Sequence, residues 1–177
     1  MPLHFEKGIC VGVDTSAPEI TDIRTVRRFS SQAYRGFFLE ATTFYLDLPS
    51  ASDRIALSIR SARRPRPGGK ASYFGQCSFT DGVGGFLKQV HGRGSCTVVG
   101  SRTSIYHSAP GSRENVIVRC NPDLPGVCYS MTLWHIEGPL QISISATIRE
   151  PAPENWLRIA DEIRAFLRKN VSHLPGC

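Results

Sequence analysis

From Leu140 to Ile148 the chain alternates without a break. Leu140, Ile142, Ile144, Ala146 and Ile148 point one way, and Gln141, Ser143, Ser145 and Thr147 the other. A period of two with one apolar and one polar face predicts an antiparallel strand over 140–149, half buried and half wet. The same alternation marks 54–62, where Ile55, Leu57 and Ile59 oppose Ala56, Ser58 and Arg60. The aromatic and β-branched run 36–48 precedes it across the turn 49–53, so the two read as a hairpin. Further strands are expected over 72–79, 95–106, 115–120 and 127–135, and one strand or a short pair over 3–13. Pro65 and Pro67 lack amide donors, which makes 63–69 a solvated loop.

A period of 3.6 appears after Pro151 and Pro153. Trp156, Ile159, Ala160, Ile163, Phe166 and Leu167 form one stripe, with Arg158, Asp161, Glu162, Arg164, Arg168 and Lys169 around it. This predicts an amphipathic C-terminal helix with cations at its C-terminal end, where they complement the helix dipole. Two further helices are expected. Ser16-Ala17-Pro18-Glu19 has the form of a capping box ahead of Ile20, Ile23, Val26 and Arg27. Asp81 stands as a cap before Val83, Phe86, Leu87 and Val90, although Gly82, Gly84 and Gly85 weaken that helix. The predicted fold is α+β: one domain over residues 1–177, with an antiparallel sheet of about six to eight strands and the C-terminal helix packed on one face.

Composition agrees with a globular chain, at 41% hydrophobic and 20% charged residues in 177. No apolar run approaches the ~18 residues of a membrane span. Met1 to Asp14 does not read as an export signal. The chain is then either cytosolic or a mature, signal-stripped protein with an added start. The six cysteines favour the second reading, a periplasmic or secreted one, because their number is even and none forms a C-x-x-C pair. Cys120 and Cys128 flank a turn-rich stretch between two strands, so a bridge there is expected first. Cys77 with Cys96, which bracket one segment, comes second, and Cys10 with Cys177 follows by elimination.

The formal net charge of +6 favours acidic partners or surfaces. Arg60, Arg63, Arg64, Arg66 and Lys70 crowd one stretch, and Arg24, Arg27 and Arg28 another. The first is a solvated loop, a contact for nucleic-acid phosphate, or a contact for an acidic protein. Few aromatic residues accompany it, which disfavours nucleic acid. The hairpin tip carrying Asn121, Asp123 and Leu124, pinned by two prolines and an expected disulfide, is a second candidate contact for a protein partner. Rigid loops lose less entropy on binding.

Catalytic patterns are sparse. The histidines His4, His91, His107, His135 and His173 show no metal spacing, and no G-x-S-x-G occurs. His107 with Ser108, or Ser130 with His135, is the only raw material for a hydrolase. Asp81 to Gly85 resembles a phosphate-cradling loop in composition alone. No motif implies a cofactor or a metal.

The C-terminal third, GPLQISISATI, then a proline-bearing turn, then PENWLRIADEIRAFL, resembles the ending of small periplasmic immunity proteins. These protect bacteria from type VI secretion effectors. The resemblance implies a non-enzymatic protein that neutralises an effector toxin by binding it, and assigns no contact residue. The same strand–Pro–Trp–helix ending occurs in other α+β domains. A secreted hydrolase and a binder of nucleic acid or anionic surfaces through Arg60–Lys70 stand as alternatives.

Overall fold

The apolar and polar alternation becomes strands almost throughout. The computed structural model describes residues 1–5, 8–29, 38–63, 77–92, 103–108, 116–121, 123–124, 128–137, 140–150 and 152–175. These residues form, in order, β1 (Pro2–Phe5), β2 (Ile9–Val13), β3 (Ile20–Phe29), β4 (Phe38–Leu46), β5 (Ile55–Arg63), β6 (Cys77–Asp81) and β7 (Leu87–Gly92). There follow β8 (Ser104–His107), β9 (Val116–Cys120), β10 (Cys128–Glu137), β11 (Leu140–Thr147), α1 (Glu154–Asn170) and β12 (Val171–Leu174). The α+β class and the C-terminal helix stand as predicted. The strand count is larger, at twelve among the described residues, divided between two sheets.

The large sheet is antiparallel, ordered β3-β4-β5-β11-β10-β9-β8-β7-β6. The chain lays down the meander β3-β4-β5 and reappears at the far edge as β6. It then meanders back through β7 to β10 until β11 docks on β5. The small sheet, β1-β2-β12, joins the two ends of the described chain. There Leu174 lies opposite Cys10, and Gly12 opposite both Pro2 and Ser172.

Two neighbouring rows across the large sheet show how alternation sorts the side chains. One row runs Phe44, Leu57, Ala146, Met131, Val118, Tyr106. All are buried in the core except the half-buried Tyr106, which packs against it. The next row follows the same register as Thr43, Ser58, Ser145, Thr132, Ile117, His107, and lies on the opposite face. The first face receives α1. Trp156, Ile159, Ala160, Ile163, Phe166 and Leu167 are buried in one cluster with the inner-face strand residues and with Val11 and Val13 of the small sheet. Burial is worth roughly 1.5–3 kcal/mol for each large apolar side chain. Trp156 sits between Phe86 at 5.2 Å and Tyr106 at 5.4 Å. Its indole N–H donates to the Glu150 carbonyl at 3.1 Å.

The β4–β5 loop is held on this framework by two carboxylates. Ser52 donates its backbone N–H (3.2 Å) and hydroxyl (2.6 Å) to Oε2 of the buried Glu150. Ala152 donates its N–H to Oε1 of the same residue at 3.0 Å. Ser50 likewise donates its N–H (3.1 Å) and hydroxyl (2.6 Å) to Glu162 on α1.

Two predicted helices are strands. The segment after Ser16 is the edge strand β3, paired with β4 over its length. Five of its first seven residues, Ile20, Thr21, Ile23, Thr25 and Val26, are β-branched and gain more in a pleated sheet than in a helix. Ser16 caps nothing; its N–H and hydroxyl both donate to Oδ1 of Asp14, closing a turn. The segment after Asp81 is the β6–β7 hairpin. Gly84 and Gly85 take φ of 58° and 80°, a left-handed conformation that a helix excludes. A Cβ on Gly84 would also lie 2.9 Å from Pro153 Cβ. The sequence did not announce β12, which follows α1 without a loop because Val171 turns extended at the helix C-terminus. Residues 72–76 and 95–102 of the predicted strands lie outside the described residues.

Burial alone pushes the Glu150 carboxyl upward, but the hydrogen bonds from Ser52 and Ala152 outweigh it and hold its pKa below the ordinary value. Its stabilising contribution is therefore complete above the ordinary carboxylate pKa and lost as pH falls through the depressed one. The substitution E150Q is expected to destabilise at neutral pH by about 1–3 kcal/mol. The gap to wild type should narrow as pH falls through the depressed pKa of Glu150. Urea denaturation at a series of pH values measures both; a gap that stays constant into acid would refute the assignment.

Candidate functional site

The β9–β10 hairpin is closed at its base by a disulfide between Cys120 and Cys128, which stand directly opposite each other. Both cysteines are buried and belong to the core cluster, so the tip is anchored to the sheet interior. The turn is ordered locally as well. Oδ1 of Asn121 accepts the Asp123 N–H at 2.9 Å, and the Asn121 carbonyl accepts the Leu124 N–H at 3.4 Å. Leu124 emerges 53% exposed. An apolar side chain held outward on a cross-linked turn can enter a partner's pocket with little loss of backbone freedom. Tyr129, 40% exposed, stands beside the disulfide with its hydroxyl 3.2 Å from Thr103 Oγ1.

The basic stretch does not share this location. β5 and β9 run in opposite directions, so β9 ends at the tip where β5 begins, and Arg60 and Arg63 lie toward the far end. Arg60 is exposed at a bulge facing Ser143 and Ile144, and Arg63 closes the strand opposite Gln141. Counted along β5 from Ile55, Arg60 is about 17 Å and Arg63 about 26 Å away. Arg64, Arg66 and Lys70 lie outside the described residues. So do Cys96 and Cys177, and with them the expected Cys77–Cys96 and Cys10–Cys177 pairings. Cys77 opens β6. Cys10 is disulfide-bonded, with His4 Nδ1 at 3.1 Å from its sulfur.

Register brings a different set of cations to the tip's end of the sheet. Continuing the β10–β11 and β11–β5 pairings places Ser130 opposite Thr147 and Arg149 opposite Arg54. The row Asp22, Tyr45, Ala56, Thr147, Ser130, Arg119 thus spans the outer face. The guanidinium carbons of Arg54 and Arg24 lie 4.6 and 5.2 Å from the Tyr45 ring centroid. Such contacts are worth about 0.5–1 kcal/mol at exposed sites. Arg24 Nε donates to Asp22 Oδ2 at 2.9 Å, and Arg149 lies 3.7 Å from Asp53. Arg119 donates to Thr132 Oγ1 at 3.1 Å. Of these residues the sequence pattern singled out only Arg24; Tyr45, Arg54, Arg119 and Arg149 are scattered along the chain and meet through strand register.

His107 is buried on the same outer face, with Nε2 2.8 Å from Gln89 Oε1 and the Phe79 ring edge-on at 5.1 Å. Ser108 does not hydrogen-bond to it; its hydroxyl accepts the Val116 N–H at 3.0 Å. His135 and Ser130 both lie on β10, His135 opposite Ile142. Asp81 to Gly85 turns a hairpin and opens no helix. Among the described residues no group of three or more His, Cys, Asp or Glu side chains is placed to hold a metal. No described helix is long and apolar enough to cross a membrane. An open groove of about 540 Å³ runs between the small sheet and the end of α1, lined by Gly12, Asp14, Arg168, Lys169 and Leu174 among others. Lys169 there is ion-paired with Glu19 at 3.3 Å. Comparison with protein-family models, curated proteins and solved structures returns no match.

Two measurements follow from this geometry. The disulfide closes a loop over a sequence separation of 8. Replacing both cysteines (C120A with C128A) is expected to cost roughly 2–3 kcal/mol by chain entropy, read from denaturation midpoints. A stability unchanged by the replacement would contradict that. Burial, reinforced by the positive field of Arg119, lowers the His107 pKa to about 4. The unfolded chain then binds the proton first as pH falls, so stability drops between about pH 6.5 and 4, by up to roughly 1.4 kcal/mol per unit. Imidazole NMR should show His107 neutral at pH 5; a protonated ring there would overturn this.

Proposed function

We propose that the chain is a non-enzymatic binding protein of an oxidising compartment such as the periplasm, and that it neutralises a bacterial effector toxin in the manner of an immunity protein. The observation that carries this reading is the hairpin tip: Leu124 projects from a turn that is cross-linked at its base and fastened to the core. A protein that blocks another by insertion needs such a feature. The anchor must be apolar to gain from burial, and rigid so that little entropy is lost. A buried disulfide supports export, because disulfides persist in oxidising compartments and are rare in the cytosol. The C-terminal resemblance to periplasmic immunity proteins points the same way.

Co-expression with the product of the neighbouring reading frame is expected to yield a stable complex and to protect cells from that product. The substitution L124D is expected to weaken the complex about tenfold or more. Its melting temperature should match wild type, since Leu124 is exposed. Absence of binding to any product encoded alongside the chain would sink the proposal; full affinity in L124D would remove the tip from it.

A further inference from the structure

The outer face at the tip's end of the sheet carries an arginine cluster that the fold itself does not use up. Three guanidinium groups, of Arg24, Arg54 and Arg149, gather around Tyr45 and the β4–β5 loop, against the two carboxylates Asp22 and Asp53. Among the described residues Asp22 holds Arg24 through Nε, and the Arg24 side chain is 63% exposed. Arg149 is 81% exposed and its contact with Asp53 is long, at 3.7 Å. Arg54 is exposed, lies 4.6 Å from the Tyr45 ring centroid, and forms no ion pair among the described residues. Ala56 and Thr147 fill the row beside Tyr45, so small side chains floor the space between the arginines. Hydroxyl donors lie one row further in, where Thr43 and Ser58 approach at 3.1 Å.

The choice of cation is informative. In the described rows of this face every cation is arginine. Arginine presents a planar fork suited to bidentate carboxylate contacts, and contact with an aromatic ring holds the fork in place. The cluster is also continuous with the tip. Arg149 lies two residues past the end of β11 and Arg54 one residue before β5, so continued register sets them in the two positions beyond Cys128, about 10 Å across the sheet at normal strand spacing. The arginines therefore stand at the end of the sheet from which the turn carrying Leu124 projects.

We propose that the Arg24–Tyr45–Arg54–Arg149 cluster is a carboxylate-binding surface, and that its occupant is an acidic segment of the protein whose apolar pocket takes Leu124. This rests on the binding-protein reading and adds the chemistry of the partner. Charge complementarity argues for the occupant: a basic chain, three forks and two carboxylates leave unmatched positive charge beside an apolar anchor. Charged contacts of this kind at an interface rim raise the association rate and fix orientation.

The test uses the intact protein and a fluorescent glutamate-rich dodecapeptide. Wild type is expected to bind the peptide, more weakly as salt rises. R54A combined with R149A should lose about tenfold in affinity, and R54K combined with R149K should lose less, since charge is kept and the fork is not. L124D should bind the peptide as wild type does while its affinity for the toxin falls about tenfold or more, which separates this surface from the tip. Peptide binding that is undetectable in wild type, or unchanged in the double alanine variant with native circular dichroism, would overturn the proposal. So would single-stranded DNA binding more tightly than the peptide and displacing it, which would assign the cluster to nucleic acid.

Discussion

The pairing of β11 with β5 is the contact on which the rest of the structure depends. It joins two meanders that are otherwise local, β3 to β5 and β6 to β10. Its partners Ala56 and Thr147 are far apart in sequence. Closing so long a loop carries an entropic cost that only the completed core offsets. Ile144 and Ala146 against Ile59 and Leu57 make that core continuous, and the bulge at Arg60 absorbs the register shift. The seam is then clamped at one end. Glu150, immediately beyond β11, takes both donors of Ser52 from the loop that opens β5, and Glu162 of α1 takes both donors of Ser50.

This seam divides the molecule into a structural face and a working face. On one side α1 lays Trp156, Ile159, Ile163 and Leu167 over the apolar row. On the other, Thr43, Ser58, Ser145 and Thr132 form a lane of hydroxyls that no described helix covers. These four side chains are half-buried, and the row ends in the buried Ile117 and His107. Around its one end stand the groups that contribute least to the core: Leu124, Tyr129, Tyr45 and the arginines. The disulfide belongs to both faces, since its sulfurs pack into the core while the turn it closes carries Leu124 outward.

Much of this was legible in the chain. The strands β4 to β6 and β8 to β11 overlap runs that the chain's alternation and β-forming residues mark, and α1 follows from its stripe. The Cys120–Cys128 bridge followed from two cysteines flanking a turn between strands. The failures are equally physical. Ser16 to Glu19 matches a capping box in spelling, but the β-branched residues after it favour β3 and the sheet supplies a partner. Gly82, Gly84 and Gly85 interrupt a helical spacing that Val83, Phe86 and Leu87 suggest, and positive φ decides for a hairpin.

The sequence by itself determined which side of β5, β11 and α1 is buried, because alternation and the 3.6 stripe are properties of a chain facing water on one side. It also determined the cross-linked tip, whose members are close in sequence. Only the tertiary structure decided which cations stand beside that tip. The run Arg60 to Lys70, conspicuous in the sequence, starts at the opposite end of the sheet, because β5 runs away from the turn that β9 and β10 share. Arg24, Arg54 and Arg149, separated by tens of residues, meet there because antiparallel register equates positions at fixed sums, and no local pattern encodes a sum.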